Sequence, residues 1–263
     1  MKRQDRLNNI LEIVVEKGSI EVEEVAELLE VSAATIRRDF DTLSKNHLIT
    51  RTHGGAIALG SAVGLPIAYK VAKEDEAKQR IAKAAAEMVS RHSIIGLNGG
   101  TTASEVARAL MQRDEFSQRD GELIPALTVV TNAVNIAAEL TVRPQIKIVV
   151  TGGVARPRSF ELTGTYAEEV LKEMNIDIAF MGVEALDPTL GAAAHHEDEA
   201  RINRQLAARS NKTVIITTSS KFRERAFAVI AQPEEIDVII TDNGIDQDTY
   251  EKFKRAGVDM VVV

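Results

Sequence analysis

The stretch Val31-Ser-Ala-Ala-Thr-Ile-Arg-Arg-Asp-Phe-Asp-Thr-Leu43 decides how the first part of this chain folds. Ser32 is a residue type that caps helix N-termini, because its hydroxyl accepts a backbone N–H of the first turn. Ile36, Phe40 and Leu43 then recur at i, i+4 and i+7, which places them on one buried face. Thr35, Arg37 and Arg38 fall off that face near the helix start, where side chains reach base edges and phosphates. The stretch therefore predicts the recognition helix of a helix-turn-helix, with Ser32, Thr35, Arg37 and Arg38 as candidate DNA contacts.

Upstream, Leu7, Ile10, Leu11 and Val14 predict an amphipathic helix that Gly18 stops. Val22, Val25, Ala26 and Leu29 predict a short second helix, and Val31 packs the turn into the third. Downstream, Leu48-Ile-Thr-Arg-Thr-His-Gly-Gly-Ala-Ile57 predicts two short strands around a Gly-Gly turn. That is a wing, from which Arg51 and His53 reach the DNA backbone or minor groove. Residues 1–57 are thus expected to form a winged helix-turn-helix. They hold eight Lys/Arg against ten Asp/Glu, so a small helical protein–protein module is the competing reading. Yet the acids gather between Glu12 and Glu30, while Ser32 to Ile57 has four basic residues against Asp39 and Asp41. The basic side is the proposed recognition side. Arg37 and Asp41 stand at i, i+4, and a surface ion pair there, about 0.3–0.5 kcal/mol, is the plainer reading of Arg37.

The 263 residues suffice for this small domain and one α/β domain. The chain has no Cys, so neither disulfides nor thiolate metal sites are expected, which fits a reducing cytoplasm. The start, Met-Lys-Arg-Gln-Asp, lacks the apolar segment of a secretory signal. No apolar run approaches the roughly 18–20 residues of a membrane span, so the expected location is cytoplasmic, with no membrane partner. A net charge of −7 argues against wholesale coating of nucleic acid and suits a compact DNA reader joined to an acidic sensor.

Residues 58–74 carry small residues and Pro66 and read as a linker. From 75 to 263, a helix at 77–90 is followed by β-branched runs at 93–97, 127–130, 146–150, 176–180, 214–216, 238–240 and 260–263. Helical patterns fit between them at 102–113, 133–140, 167–174, 198–209 and 248–256. Near-continuous apolar strands alternating with helices predict an α/β domain with a mostly parallel sheet covered on both faces.

Ligands of such sheets bind outside the carboxyl ends of the strands. Small polar loops follow the strands there: Asn98-Gly-Gly-Thr-Thr102, Thr131-Asn132, Thr151-Gly-Gly153, Gly182-Val-Glu184, Thr217-Thr-Ser-Ser-Lys221 and Thr241-Asp242. Gly99 and Gly100 let the backbone approach an anion. Thr101 and Thr102 offer hydroxyls at a helix N-terminus that carries about half a positive charge. Lys221 supplies a charge to the same anion. Together these predict a phosphorylated small ligand. Each part also has a plainer reading: Gly-Gly-Thr-Thr as a helix cap, and Lys221 as a solvated lysine beside a Ser-Ser turn. His195-His196 with Glu197 and Glu199 lacks metal-ligand spacing and reads as a solvated helix entrance. One of the acids at 197–199 is free to bond ligand hydroxyls. Neither a metal nor a cofactor is expected.

The chain resembles the DeoR family of bacterial transcriptional regulators over essentially its full length. The resemblance rests on Val31-Ser-x-x-Thr-Ile-Arg-Arg-Asp-Phe-x-x-Leu43 and Gly54-Gly55-Ala56. In the second domain it rests on Gly99-Gly-Thr-Thr102, Thr128-Val-Val-Thr-Asn132, Thr151-Gly-Gly153, Glu199-Ala-x-Ile-Asn203, Ser219-Ser-Lys-Phe222 and Ile240-Thr-Asp242. Glu197-Asp-Glu-Ala-Arg-Ile-Asn-Arg204 looks most like the AgaR-type, amino-sugar branch. The resemblance implies a sensor domain similar to the ribose-5-phosphate isomerase fold that binds a sugar phosphate. One position departs: the family commonly has Asp where this chain has Asn98, whose amide donates and accepts without a charge.

Residues and resemblance together predict a DNA-binding regulator, a repressor of carbohydrate-use genes, controlled by a sugar phosphate. Ser32, Thr35, Arg37 and Arg38 would meet operator DNA in the major groove, and Arg51 and His53 would act from the wing. The effector phosphate would sit on Gly99, Gly100, Thr101 and Thr102 with Lys221. Asn98, Thr131, Asn132, Gly152, Gly153 and Glu199 would line the sugar side. A homodimer or homotetramer is expected, because one winged domain reads only a half-site. The alternative is a sugar-phosphate isomerase-like enzyme with an appended helical domain. Against it, no acid/base pair stands out, and Asn98 cannot serve as a carboxylate base.

Overall fold

The computed structural model describes residues 19–45, 49–58, 76–117, 124–157 and 159–263, together with 6, 7, 9, 10, 13, 14 and 17. The chain divides into two units, Met1–Lys73 and Glu74–Val263.

In the first unit the described residues from Arg6 to Lys17 are helical. They are followed by β1 (Ser19–Glu21), α1 (Val22–Leu28), α2 (Ala33–Lys45), β2 (Ile49–Arg51) and β3 (Gly55–Ala58). Ser32 caps α2 as its residue type predicts: its Oγ accepts the Thr35 N–H at 3.2 Å. Ile36, Phe40 and Leu43 are fully buried, packed with Leu7, Ile10, Val14 and Val25. Asp39, counted above among the acids opposing the basic side, is itself buried, and Arg6 Nε reaches its Oδ2 at 2.6 Å. The strands pair antiparallel in the order β1-β3-β2, and β1 was not foreseen. At Gly55 a Cβ would stand 2.0 Å from the Ile20 carbonyl oxygen, so the β1–β3 pairing needs glycine there. Leu11, Gly18, Leu48 and the linker beyond Ala58 lie outside the described residues, and Ala58 ends β3 rather than opening a linker.

The second unit holds seven parallel strands where the apolar runs predict them. They are β4 (Ile94–Leu97), β5 (Leu127–Thr131), β6 (Ile146–Val150), β9 (Ile176–Met181), β12 (Ser210–Ile216), β14 (Val238–Thr241) and β15 (Asp259–Val262), ordered β15-β14-β12-β9-β4-β5-β6. Helices α3 (Glu76–Glu87), α4 (Thr101–Met111) and α5 (Val134–Leu140) share one core with Ile95, Leu97, Val214, Ile216, Val238 and Ile240. Helices α6 (Thr165–Lys172), α7 (Glu197–Ala208) and α8 (Gln247–Arg255) share another with Ala179, Met181, Ile215 and Ile239. Successive residues of one strand thus serve opposite cores, which is why these strands read as unbroken apolar runs.

From β4 the chain adds β5 and β6 on one side, then returns to place β9, β12, β14 and β15 on the other. The direction reverses between β4 and β9, where crevices form in open α/β sheets. Five short strands were not foreseen. The pair β7 (Val154–Ala155) and β8 (Leu162–Thr163) forms an antiparallel hairpin. A second antiparallel sheet joins β10 (Ala185–Asp187), β11 (Gly191–Ala194) and β13 (Ala228–Ala231).

Candidate nucleic-acid interface and effector site

The six sequence-predicted DNA contacts all lie in the first unit. Ser32, Arg37, Arg38 and His53 are exposed, and Thr35 and Arg51 are half-buried. The Thr35 and Ser32 hydroxyls lie 2.9 Å apart, so these two residues also serve the cap. The Arg37–Asp41 pair, the plainer alternative to a DNA contact, does not form. Arg37 Nη2 instead stands 3.0 Å from Glu23 Oε1 on α1, and Asp41 pairs with Arg51 on β2. Arg51 Nη1 also donates to the Arg37 carbonyl at 3.4 Å, tying the wing strand to α2. Arg38 makes no ion pair with a described residue. The N-terminal half of α2 thus carries exposed guanidinium groups that can donate to phosphates or base edges.

In the second unit, the reversal point is clamped by Asn98. Its Nδ2 donates to the Gly182 carbonyl at 2.8 Å, and its Oδ1 accepts the Gly182 N–H at 2.8 Å. The side chain at the end of β4 is buried, and both its amide atoms are used to hold the end of β9. Next, the Gly99 N–H donates to Glu161 Oε1 at 2.7 Å, and a Cβ at Gly99 would lie 2.5 Å from Glu161 Cγ. Gly100 has φ 108°, a backbone that favours glycine, and α4 begins after it without a side-chain cap. The first-turn N–H groups at Thr101 and Thr102 therefore face an uncapped helix N-terminus.

Glu161, absent from the sequence-based candidates, is the hub of this site. It is buried on the strand-ordered segment before β8 and also accepts Asn203 Nδ2 at 3.2 Å through Oε2. Asn203 Oδ1 in turn accepts Asn132 Nδ2 at 3.3 Å, and Asn132 Oδ1 is buried without a hydrogen-bond partner. Burial pushes the Glu161 carboxyl up to about 8, and the charges of Glu199 and Glu184 add to this, while the donors of Gly99 and Asn203 oppose it. Glu199 accepts Arg156 Nε at 2.8 Å and Ser159 Oγ at 2.6 Å. Two buried carboxyls with unequal surroundings therefore border one site, Glu161 among amide donors and Glu199 held by Arg156 and Ser159.

The remaining candidates shape this site's borders. Thr131 is buried, and its Oγ1 accepts the Ala133 N–H at 3.0 Å. Gly152 and Gly153 have φ of 71° and 114° at the foot of the β7–β8 hairpin, which carries Arg156 and Ser159 between its strands. Lys221 is half-buried on the 3-10 turn Ser219–Arg223 after β12 and has no side-chain partner among the described residues. That turn is anchored by Asp242, which accepts the Ser219 N–H and Oγ at 2.7 Å each and the Gly244 N–H at 3.0 Å. Burial alone would raise the Asp242 carboxyl, but these donors outweigh it and hold it below the usual range. Among the described residues, no three His, Asp or Glu side chains are placed to hold a metal ion.

Residues 6–62 match the DeoR-like helix-turn-helix domain, and residues 73–243 match the DeoR C-terminal sensor domain. The chain belongs to the DeoR family. It is 32% identical to a transcriptional repressor assigned to the aga operon in Escherichia coli O157:H7, over 98% of this chain and 93% of that one. It is 35% identical to the transcriptional regulator GlpR of Haloferax volcanii, over 98% and 96%. Among solved structures it is similar to ribose 5-phosphate isomerase A of Methanocaldococcus jannaschii, at 19% identity, covering 62% of this chain and 58% of that one with a TM-score of 0.41. That likeness is too slight to bear on function.

In this DeoR-family sensor, Gly99 and Asn132 join through Glu161 and Asn203, Glu199 is linked to them by Ser159, whose Oγ accepts the Glu161 N–H at 3.4 Å, and Asn98 instead holds Gly182. In the sequence Asn203 stands only as part of a family-matching motif and Gly182 only as a strand-end glycine, and neither signals these contacts. Arg156, Ser159 and Glu161 carried no signal in the sequence, because the segment after Gly153 shows neither helical nor strand periodicity.

Proposed function

We propose that this DeoR-family protein is a transcriptional repressor of carbohydrate-use genes whose DNA affinity changes when a sugar phosphate binds the second domain. The observation that carries the effector reading is the Gly99–Thr102 turn. It opens an uncapped helix at the reversal between β4 and β9, and its Gly99 N–H already donates to a carboxyl oxygen, that of Glu161, at 2.7 Å. A phosphate is the ligand group such a turn suits best. Support comes also from a relative named the glycerol-3-phosphate regulon repressor in Escherichia coli K12, 30% identical over 92% of each chain. An amino-sugar phosphate is the finer reading, on the resemblance of 197–204 to the AgaR-type branch. Thr101, Thr102 and Lys221 take the phosphate, and Asn132, Glu161 and Glu199 take the sugar hydroxyls.

Effector binding alters DNA affinity only through unequal binding to DNA-competent and DNA-incompetent arrangements, and the segment after β3, up to residue 74, carries that difference. The protein works in the cytoplasm as a homodimer or homotetramer, matching paired half-sites, and it does no chemistry on its ligand. Titration calorimetry of the full chain against a panel of sugar phosphates tests the reading. One compound binds, its dephosphorylated counterpart does not, and Lys221→Ala weakens the phosphorylated one alone. Equal binding of both counterparts would reject the phosphate site.

The Glu161–Glu199 pair favours one second reading, an isomerase acting on the same ligand class. Turnover of ribose 5-phosphate or an amino-sugar phosphate that is lost in Glu199→Gln would establish it, and no turnover dismisses it.

A further inference from the structure

Two of the cations on the DNA-reading side are already occupied. Arg37 of α2 is held by Glu23 of α1 at 3.0 Å, and Arg51 of β2 is held by Asp41 of α2. The Arg37–Glu23 pair is open to solvent, with side chains 56% and 68% exposed, and in the second pair Asp41 is 58% and Arg51 32% exposed. Pairs this exposed are weak and exchange readily with another anion. Arg38, between them in sequence, is exposed and pairs with no described residue. Each acid thus holds a guanidinium group that a phosphate has to win from it.

We propose that Glu23 and Asp41 are phosphate surrogates that lower the electrostatic share of DNA binding, leaving Arg38, among the described arginines of α2 and the wing, to meet DNA without displacing an acid. A phosphate that captures Arg37 releases Glu23 beside a polyanion, and that carboxylate must recruit a salt cation. The counterion release that normally drives phosphate contacts is cancelled, pair by pair. The domain then depends less on phosphates, which all DNA shares, and more on the base edges facing Thr35 and Arg38.

The test is the salt dependence of full-chain binding to a random-sequence duplex, read by fluorescence polarisation for wild type, Glu23→Gln and Asp41→Asn. Each amide keeps shape and removes one charge. The proposal expects the slope of log affinity against log salt to steepen by up to about 0.9 per variant, with several-fold tighter binding at low salt. Glu27→Gln is the control, since Glu27 is an exposed acid of the same helix that pairs with no described cation. It should leave the slope unchanged. A slope unmoved by Glu23→Gln or by Asp41→Asn overturns the role of that acid. A Glu27→Gln slope that steepens equally overturns the whole proposal, because the effect is then general charge.

Discussion

At the scale of single residues, Arg38 and Glu161 carry opposite kinds of function. Arg38 is exposed and makes no ion pair with a described residue, so it meets DNA without first giving one up. Arg38→Ala is expected to weaken operator binding by about 1–3 kcal/mol, measured by polarisation at fixed salt, while leaving the thermal midpoint unchanged. Glu161 is buried and unequally served: its neighbours donate to it, yet burial holds its carboxyl up at about 8. A folded-state value above the unfolded 4.5 means that the folded chain binds the extra proton between those limits. Stability from this group is therefore full below pH 4.5 and is lost as pH rises towards 8. Thermal melts of wild type and Glu161→Gln should diverge over that window, with wild type losing ground as pH rises and the gap levelling above pH 8. Parallel melts across the window would mean that Glu161 is ionised in the fold.

Asn98 shows how a residue acts through an element. Its amide joins the ends of β4 and β9 by two hydrogen bonds at 2.8 Å. Asn98→Ala leaves both Gly182 groups without this partner and should cost about 2–4 kcal/mol in denaturant unfolding. Asn98→Asp should also destabilise, because an ionised carboxylate cannot donate to the Gly182 carbonyl. A neutral outcome for both would show that water replaces the clamp without loss. The elements were legible in proportion to their hydrophobic signal. The seven central strands announced themselves, because burial on both faces demands runs such as Val238-Ile-Ile240. Strand β11, Gly191-Ala-Ala-Ala194, has no β-branched residue, and β7 and β8 are two residues each, too short for a period of two to register. The loops proposed to hold the ligand stood out in the sequence by their glycines and threonines. Glu161 was not, because its burial comes from the β7–β8 hairpin returning to Gly99, a contact 62 residues apart. The pairing of Arg37 with Glu23 was equally hidden: helix spacing offered Asp41, and tertiary packing of α1 on α2 supplied another acid.

For the whole molecule, the account joins a winged DNA reader to a sensor with an anion-ready loop at the reversal of its sheet. The DNA-reading function rests on the first unit and the family to which the chain belongs. The coupling of the two rests on ligand binding being felt at the operator, and its size is bounded by the ligand's unequal affinity for the two arrangements. The deciding measurement is polarisation binding of the full chain to its own upstream promoter DNA at fixed salt, with and without each of a panel of sugar phosphates. The account predicts promoter binding tighter than to random DNA and shifted about 5- to 150-fold by one phosphorylated sugar, a shift abolished in Lys221→Ala. Promoter binding no tighter than random DNA, or indifferent to every phosphorylated sugar, would contradict it.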